Sequence, residues 1–443
     1  MSNAAVKNAN INSKGDSKIG KLASCLTSKE RTDPSFWNKF CHSLSIEGKA
    51  TAEPITSTIP FDESTRWKNK LVSSGYVLVD ECMDAALIKR LAEGIEQLHE
   101  VGLPATFIFL FDETWDLARA SRSILKSSSH SNNDFNFDLL AWFVEAGKGG
   151  FSPHRDRQPE DAASTFYPDG QAKFLTHWIA LSEASPENSC LHVIPKTHDP
   201  GYINGDNDSE DPLRRALPDK ESFQHIRALP RKPGQSILFT HRIIHWGSKN
   251  DPDSAFPPRI AISFVCSNPS YESPLLKADY FVEERIPPFH IRLLLVCAQL
   301  LIYYQRFDLN RETIKACYEY CKQYEEDLEE NYRRKVFVEF VKAMKESGKS
   351  SNDVSEKSSG VKLVITEEED EEDAMMEEML NAESGGYGDF QDDYDELEDE
   401  ENIVIGSEEE EEGMDKEEDE MDLFGKRTLV PQESSAAKKI KVT

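Results

Sequence analysis

The chain lacks any apolar run long enough to cross a bilayer. Its longest, Ile291 to Tyr304, is 14 residues and contains Arg292 and Gln299, where a spanning helix needs about 20. A buried helix is expected there, and no membrane partner. The opening MSNAAVKNANINSKGDSK has no apolar h-region, so a secretory signal is not expected. Close cysteine pairs are scarce as well: of eight cysteines only Cys317 and Cys321 are near neighbours, at helical spacing. That usage fits a reduced, intracellular protein.

Charge of one sign is also scarce outside the C-terminal segment. The formal charge is −30, but Glu367 to Asp422 holds 30 acids against one lysine, and Leu423 to Thr443 five basic residues against one acid. Residues 1–366 therefore keep a net of −5, and charge alone identifies no ligand for them. The 443 residues leave room for one domain with a large core, plus extensions.

Residues 1–57 are rich in Ser, Asn, Thr and Lys and are expected to be largely disordered, with only PSFWNKF pointing to docking. Next, SGYVLVD reads as a strand, and Asp84 as the N-cap of a helix with Leu87, Ile88, Leu91, Ile95 and Leu98 at helical spacing. ATFIFLF and FDLLAWFVEA read as strands around a loop, KSSSHSNNDFN. KFLTHWIALSE, SCLHVIPKTH, GQSILFTHRIIHWGS and RIAISFVCS follow as short strands, interrupted by a polar insertion over residues 199–231. That succession predicts an antiparallel sandwich or jelly roll. The expectation is a mainly β, part-α chain: N-terminal helices and a jelly-roll core over residues 58–275, then a helical cap over 276–347. RETIKACYEYCKQYEEDLEENY is read as one of the cap helices. Residues 348–443 read as a disordered acidic tail with a basic end.

Chemistry concentrates in GGFSPHRDRQ, Gly149 to Gln158, where His154 and Asp156 stand two residues apart. Such a pair alone is weak evidence. About ninety residues on, SILFTHRIIHWGSKN ends a strand in His245, and two imidazoles with one carboxylate can occupy one face of an octahedral metal. His241, four residues earlier, is an alternative third ligand. Arg259 opens RIAISFV; its planar fork suits a carboxylate, and Ser263 shares its face in a regular strand. These are the parts of a non-haem iron oxygenase that uses 2-oxoglutarate. His177, His192 and His198 read as packing or turn residues.

The stretch ALSEASPENSCLHVIPKTH, then LPRKPGQSILF and His245, resembles the phytanoyl-CoA dioxygenase family over about Leu71 to Ser267. The resemblance implies a double-stranded β-helix, Fe(II) on His154, Asp156 and His245, and 2-oxoglutarate as co-substrate anchored by Arg259. It further implies a pocket lined by Trp178, with ascorbate as an accessory reductant. Because the carboxylate that halogenating relatives lack is present, hydroxylation or demethylation is implied. Ser189 stands where the family has Gly, Lys196 likewise, and Trp246 follows His245 directly. The expected substrate is a small molecule or a protein. The alternative is a catalytically silent relative acting as an acidic-tailed nuclear binding module.

Two tail segments, residues 362–373 and 401–412, join β-prone aliphatics to acidic runs and resemble SUMO-interacting motifs, so SUMO or basic nuclear proteins are the expected partners. Lys426-Arg427 and, ten residues on, KKIK resemble a bipartite nuclear import signal. A nuclear location is expected, a cytoplasmic one being the alternative; nucleic-acid binding through the acidic tail is not expected.

Overall fold

In the computed structural model the described residues are 21–356, apart from 49–58, 81–82, 146, 160, 207–210, 250–255, 281–284 and 308. The expected tail motifs at residues 362–373 and 401–412 and the basic clusters at 426–441 lie outside the described residues.

Eight strands form two antiparallel sheets among these residues. β1 (Tyr76–Val79), β2 (Asp134–Val144), β3 (Phe174–Ala180), β6 (Ser236–Thr240) and β8 (Arg259–Ser267) make the larger, in the order β1-β6-β3-β8-β2. β4 (Leu191–Ile194), β5 (Arg227–Leu229) and β7 (Ile244–Gly247) make the smaller, in the order β5-β4-β7. His154 adds to β7 by an isolated antiparallel bridge. After β2 the chain crosses to the smaller sheet at His154, returns for β3, crosses for β4 and β5, and then alternates through β6, β7 and β8.

Alternation along the strands sorts side chains between two cores. Trp178, Ala180, Ile237, Phe239 and Ala261 of the larger sheet share an interior with Cys190, Leu191, Val193 and Leu229 of the smaller. Their neighbours Ile179, Leu238, Ile260, Ile262 and Phe264 face the opposite way, into a core built with helices. β3 and β8 are thus buried on both faces, and each Leu, Ile or Phe so buried contributes roughly 1.5–3 kcal/mol.

Those helices are α1 (Phe61–Ser74), α2 (Ala85–Glu100), α3 (Asp112–Ser128), α4 (Phe289–Ile302), α5 (Arg311–Gln323) and α6 (Glu330–Glu356). Asp84 caps α2, accepting from Leu87 N at 2.7 Å. In α4 the two polar residues of the apolar run meet buried acids: Arg292 Nη1 lies 2.6 Å from Asp112 Oδ1, and Gln299 Nε2 donates to Asp138 Oδ1 at 3.0 Å.

Four expectations are corrected. ATFIFLF is not a strand but a 3-10 helix, Ala105–Leu110. The Thr114 hydroxyl and Trp115 indole N–H of α3 take the Ile108 and Phe109 carbonyls at 2.7 and 2.9 Å, so these are not free for a ladder. Residues 21–48 are not disordered. Trp37 is 1% exposed, stacks on Phe107 at 5.2 Å between ring centroids, and donates to Arg31 O at 2.7 Å. RETIKACYEYCKQYEEDLEENY is not one helix, because Leu328 leaves the axis to bridge Leu276, and Glu329 N donates to Leu275 O at 2.9 Å. Finally, α6 continues past residue 347, to Glu356.

Candidate metal centre

Backbone pairing brings the first two site residues together. His154 N donates to His245 O at 3.1 Å and His245 N to His154 O at 3.0 Å, which sets the imidazoles side by side with ring centroids 4.3 Å apart. Asp156 Oδ1 then lies 3.7 Å from His154 Nε2 and 3.4 Å from His245 Nε2. One ligand atom from each residue falls within 4.8 Å of the others. Ligands roughly 2.1 Å from one ion and at right angles stand about 3 Å apart, so a small closure suffices to share a cation.

Each ligand is held by a second contact. His154 Nδ1 sits 2.8 Å from Ser152 O and His245 Nδ1 3.1 Å from Ile243 O. Carbonyls only accept, so Nδ1 carries the proton in both rings and the Nε2 lone pairs are left for a metal. Thr176, inward-facing two residues before Trp178, donates its hydroxyl to Asp156 Oδ2 at 2.7 Å and leaves Oδ1 for the ion. Burial, then the charge of His245, lowers the His154 pKa to about 4. Burial alone would raise Asp156, but the two imidazoles outweigh it and hold the carboxyl below its ordinary range. The protonation state of these two groups at neutral pH is the one a dication requires.

Between the ligands, Arg155 turns the opposite way into a buried cluster. It forks onto Asp199 at 2.6 and 2.9 Å and onto Asp206 at 2.6 and 2.8 Å, and it donates to Arg242 O. Arg242 reaches Asp206 at 3.1 Å and Arg157 O at 3.0 Å. The 199–206 segment thereby ties the His154 segment to the start of β7. At the other side, the Arg306 guanidinium, just beyond α4, lies 4.3 Å over the Phe151 ring, itself 5.2 Å from His154.

Arg259 is buried, at 3% exposure, with its guanidinium 5.8 Å over the Trp178 ring. Trp178 pairs with Ser263 across β3 and β8, and the regular register puts Arg259, Ala261 and Ser263 on the interior face. Burial lowers the Arg259 pKa to about 10, which still leaves a cation at neutral pH. Its Nε has no partner, and among the described residues no carboxylate pairs with the guanidinium. A buried cation without an anion is costly. Gly247 packs close beside it: a Cβ there would lie 3.3 Å from Arg259 Nη2 and 3.2 Å from Gly150 Cα. A buried guanidinium without an anion fits the far carboxylate of a 2-oxo diacid.

Every expected site residue is therefore in or beside one interior. His241 is not: its Nε2 meets Thr165 Oγ1 at 2.7 Å and its Nδ1 Phe174 O at 3.3 Å, so both nitrogens are spent elsewhere. His177 faces the helical side, 2.8 Å from Ser121 Oγ. His192 stacks on Trp246 and His198 on His225. Residue by residue, the sequence reading missed Thr176, the Arg155 cluster and Arg306.

Two histidines, a carboxylate and a buried arginine between antiparallel sheets mark a non-haem iron oxygenase that uses 2-oxoglutarate. Residues 99–256 match the family described as Phytanoyl-CoA dioxygenase (PhyH), so the chain carries a domain of that family there. It is an Fe(II)- and 2-oxoglutarate-dependent oxygenase. No curated protein matches the chain. Among solved structures it is similar to the non-heme alpha ketoglutarate dependent epimerase SnoN from nogalamycin biosynthesis, at 19% identity and TM-score 0.34, covering 47% of this chain and 84% of that one. The carbocyclase SnoK of the same biosynthesis gives 19%, 0.37, 49% and 88%. EctD from S. alaskensis, solved with 2-oxoglutarate and 5-hydroxyectoine, gives 18%, 0.34, 55% and 91%.

Proposed function

We propose that the protein is a hydroxylase or demethylase on a double-stranded β-helix, with iron(II) held by His154, Asp156 and His245. The observation that carries this reading is the convergence of three ligand atoms within 4.8 Å, each fixed by a second hydrogen bond. Iron(II) with 2-oxoglutarate supplies the chemistry of the class: dioxygen is consumed, the co-substrate loses carbon dioxide to become succinate, and one oxygen atom goes to the substrate.

The chain's own residues bind and orient. Ser152 and Ile243 carbonyls fix the imidazole tautomers, and Thr176 fixes the carboxylate. Arg259 and Ser263 hold the far end of the co-substrate against Trp178, whose burial keeps water from that end. Phe151 and Arg306 border the ligand set on the side of His154, where a small-molecule or protein substrate would approach. The domain limits 58–275 and 276–347, with the C-terminal helices as a cap, belong to this proposal, as do nuclear import through residues 426–441 and SUMO or basic nuclear partners for residues 362–373 and 401–412.

Full-length protein supplied with Fe(II), 2-oxoglutarate and air is expected to release succinate, and Asp156→Ala to release none. Equal succinate from the variant would overturn the reading. A reporter carrying residues 423–443 that stays cytoplasmic would remove the nuclear part alone.

A further inference from the structure

We propose that Arg306 is a specificity-determining residue, its guanidinium receiving the carboxylate or phosphate of an anionic substrate whose apolar body lies on Trp142 and Phe151; this rests on the preceding reading of the site. The sheet order locates the mouth. β2 is the last strand of the larger sheet, and the His154 segment is the outermost addition to the smaller one, beyond β7. Leu140 and Trp142 of β2 pair with Ser263 and Ala261 of β8, which puts them on the interior face. Both are only half-buried, although Ser263, Trp178, Ala261 and Ala180 in the same two rows are buried. Phe151 meets them from the other sheet: its carbonyl accepts from Gly247 N at 3.0 Å, and its ring lies 4.5 Å from Trp142, edge to face, and 5.2 Å from His154.

Arg306 is exposed and stands over this mouth, its guanidinium 4.3 Å from the centre of the Phe151 ring. The backbone that presents it is fixed. It closes the 3-10 turn Tyr304–Arg306, and the residues before it are anchored in two directions. Tyr303 donates its hydroxyl to Asp138 Oδ2 of β2 at 3.3 Å, while Tyr304 is buried and donates to Glu346 of α6. Residue 306 also lies beyond the segment matched to the family, so the cation is this chain's own addition to the site. Stacking uses the face of a guanidinium, whereas its N–H donors lie in the plane and suit the oxygens of a carboxylate or phosphate. Charge favours the same ligand. Once a dication and a 2-oxo diacid are bound, their charges and those of Asp156 and Arg259 balance, so the cation at the mouth sets the sign that a substrate meets. An amine would be brought against a like charge, and an anion drawn in. Trp142, Phe151 and Leu140 add apolar surface for the rest of the molecule.

The test uses full-length protein loaded with Mn(II) and saturating 2-oxoglutarate, which keeps other anions away from Arg259, and reads the paramagnetic broadening of probe signals by nuclear magnetic resonance. The probes are benzoate, phenyl phosphate, benzyl alcohol and benzylamine. The wild type is expected to bind one of the two anions best, which of them distinguishing a carboxylate from a phosphate substrate, and benzylamine least. Arg306→Met keeps a side chain on Phe151 and removes the charge; it is expected to bind that anion about tenfold more weakly and benzyl alcohol as the wild type does. Arg306→Glu is expected to reverse the order in favour of benzylamine. A wild type without preference for an anion, or an order of probes that Arg306→Glu leaves unchanged, would overturn the role of Arg306 alone. A wild type that takes up no 2-oxoglutarate by calorimetry overturns the site assignment and this proposal with it.

Discussion

Thr176 Oγ1 donates to Asp156 Oδ2 at 2.7 Å, while the other carboxylate oxygen faces both imidazoles. The threonine thus decides which oxygen is offered to the ion and in what orientation. Thr176→Val keeps the shape and removes the donor. Metal affinity is expected to fall about 10- to 100-fold, read as free Mn(II) by electron paramagnetic resonance, with Asp156→Ala binding none. Wild-type affinity in the valine variant would reduce Thr176 to a packing residue.

Arg155 bears on the site through the backbone. Replacing it by Met leaves Asp199 and Asp206 without their fork, and breaking a buried pair of this kind costs about 3–5 kcal/mol. A fall in Tm of roughly 10 °C is expected by calorimetry. Burial would raise Asp206, but the hydrogen bonds and charges of Arg155 and Arg242 prevail and hold it below the ordinary range. A depressed carboxylate adds stability that is complete above its unfolded pKa and lost as pH falls through the folded one. Asp206→Asn is therefore expected to flatten the acid limb of the stability curve. An unchanged acid limb would show that the cluster does not titrate as a unit.

The ligand set was legible because metal chemistry demands particular residue types: a histidine and a carboxylate two apart, and a histidine closing a strand, have few other uses in concert. Arg259 drew notice for a different reason, a planar fork suited to a carboxylate at the start of a strand. Thr176 was not, since a threonine in FLTHWIA is an ordinary strand former and its bond to Asp156 spans 20 residues. In α3, 12 of 17 residues are buried, so the polar stripe that announces a surface helix is missing. ATFIFLF misleads for a related reason: its apolar run is as suitable for a buried 3-10 turn as for a strand, and tertiary partners decide.

His177 and His241 make a pH prediction apart from the metal. Burial lowers each to about 3, aided at His241 by the charge of Arg242. In the unfolded chain both titrate near 6.5. Below that pH the unfolded state binds protons that the folded state refuses, so stability falls as pH drops from about 6.5 toward 3. Between pH 7 and 5 each histidine is expected to remove about 2 kcal/mol. His177→Asn, which can still meet Ser121, should shrink the loss measured by urea denaturation by that amount. An identical loss in variant and wild type would mean that His177 accepts a proton while folded.

Gly247 and Gly150 separate the two halves of the site. A methyl on Gly247 would press on Ser189 Oγ, Gly150 Cα and Arg259 Nη2, at 3.0, 3.2 and 3.3 Å. Gly247→Ala is expected to retain Mn(II) and to bind 2-oxoglutarate at least tenfold more weakly. A Cβ on Gly150 instead meets Gly247 Cα at 2.8 Å, backbone against backbone. That contact yields only if β7 moves away from the segment leading to His154, so Gly150→Ala is expected to lose metal affinity and thermal stability together. If Gly247→Ala took up 2-oxoglutarate normally, the carboxylate would have to lie elsewhere than in front of Arg259.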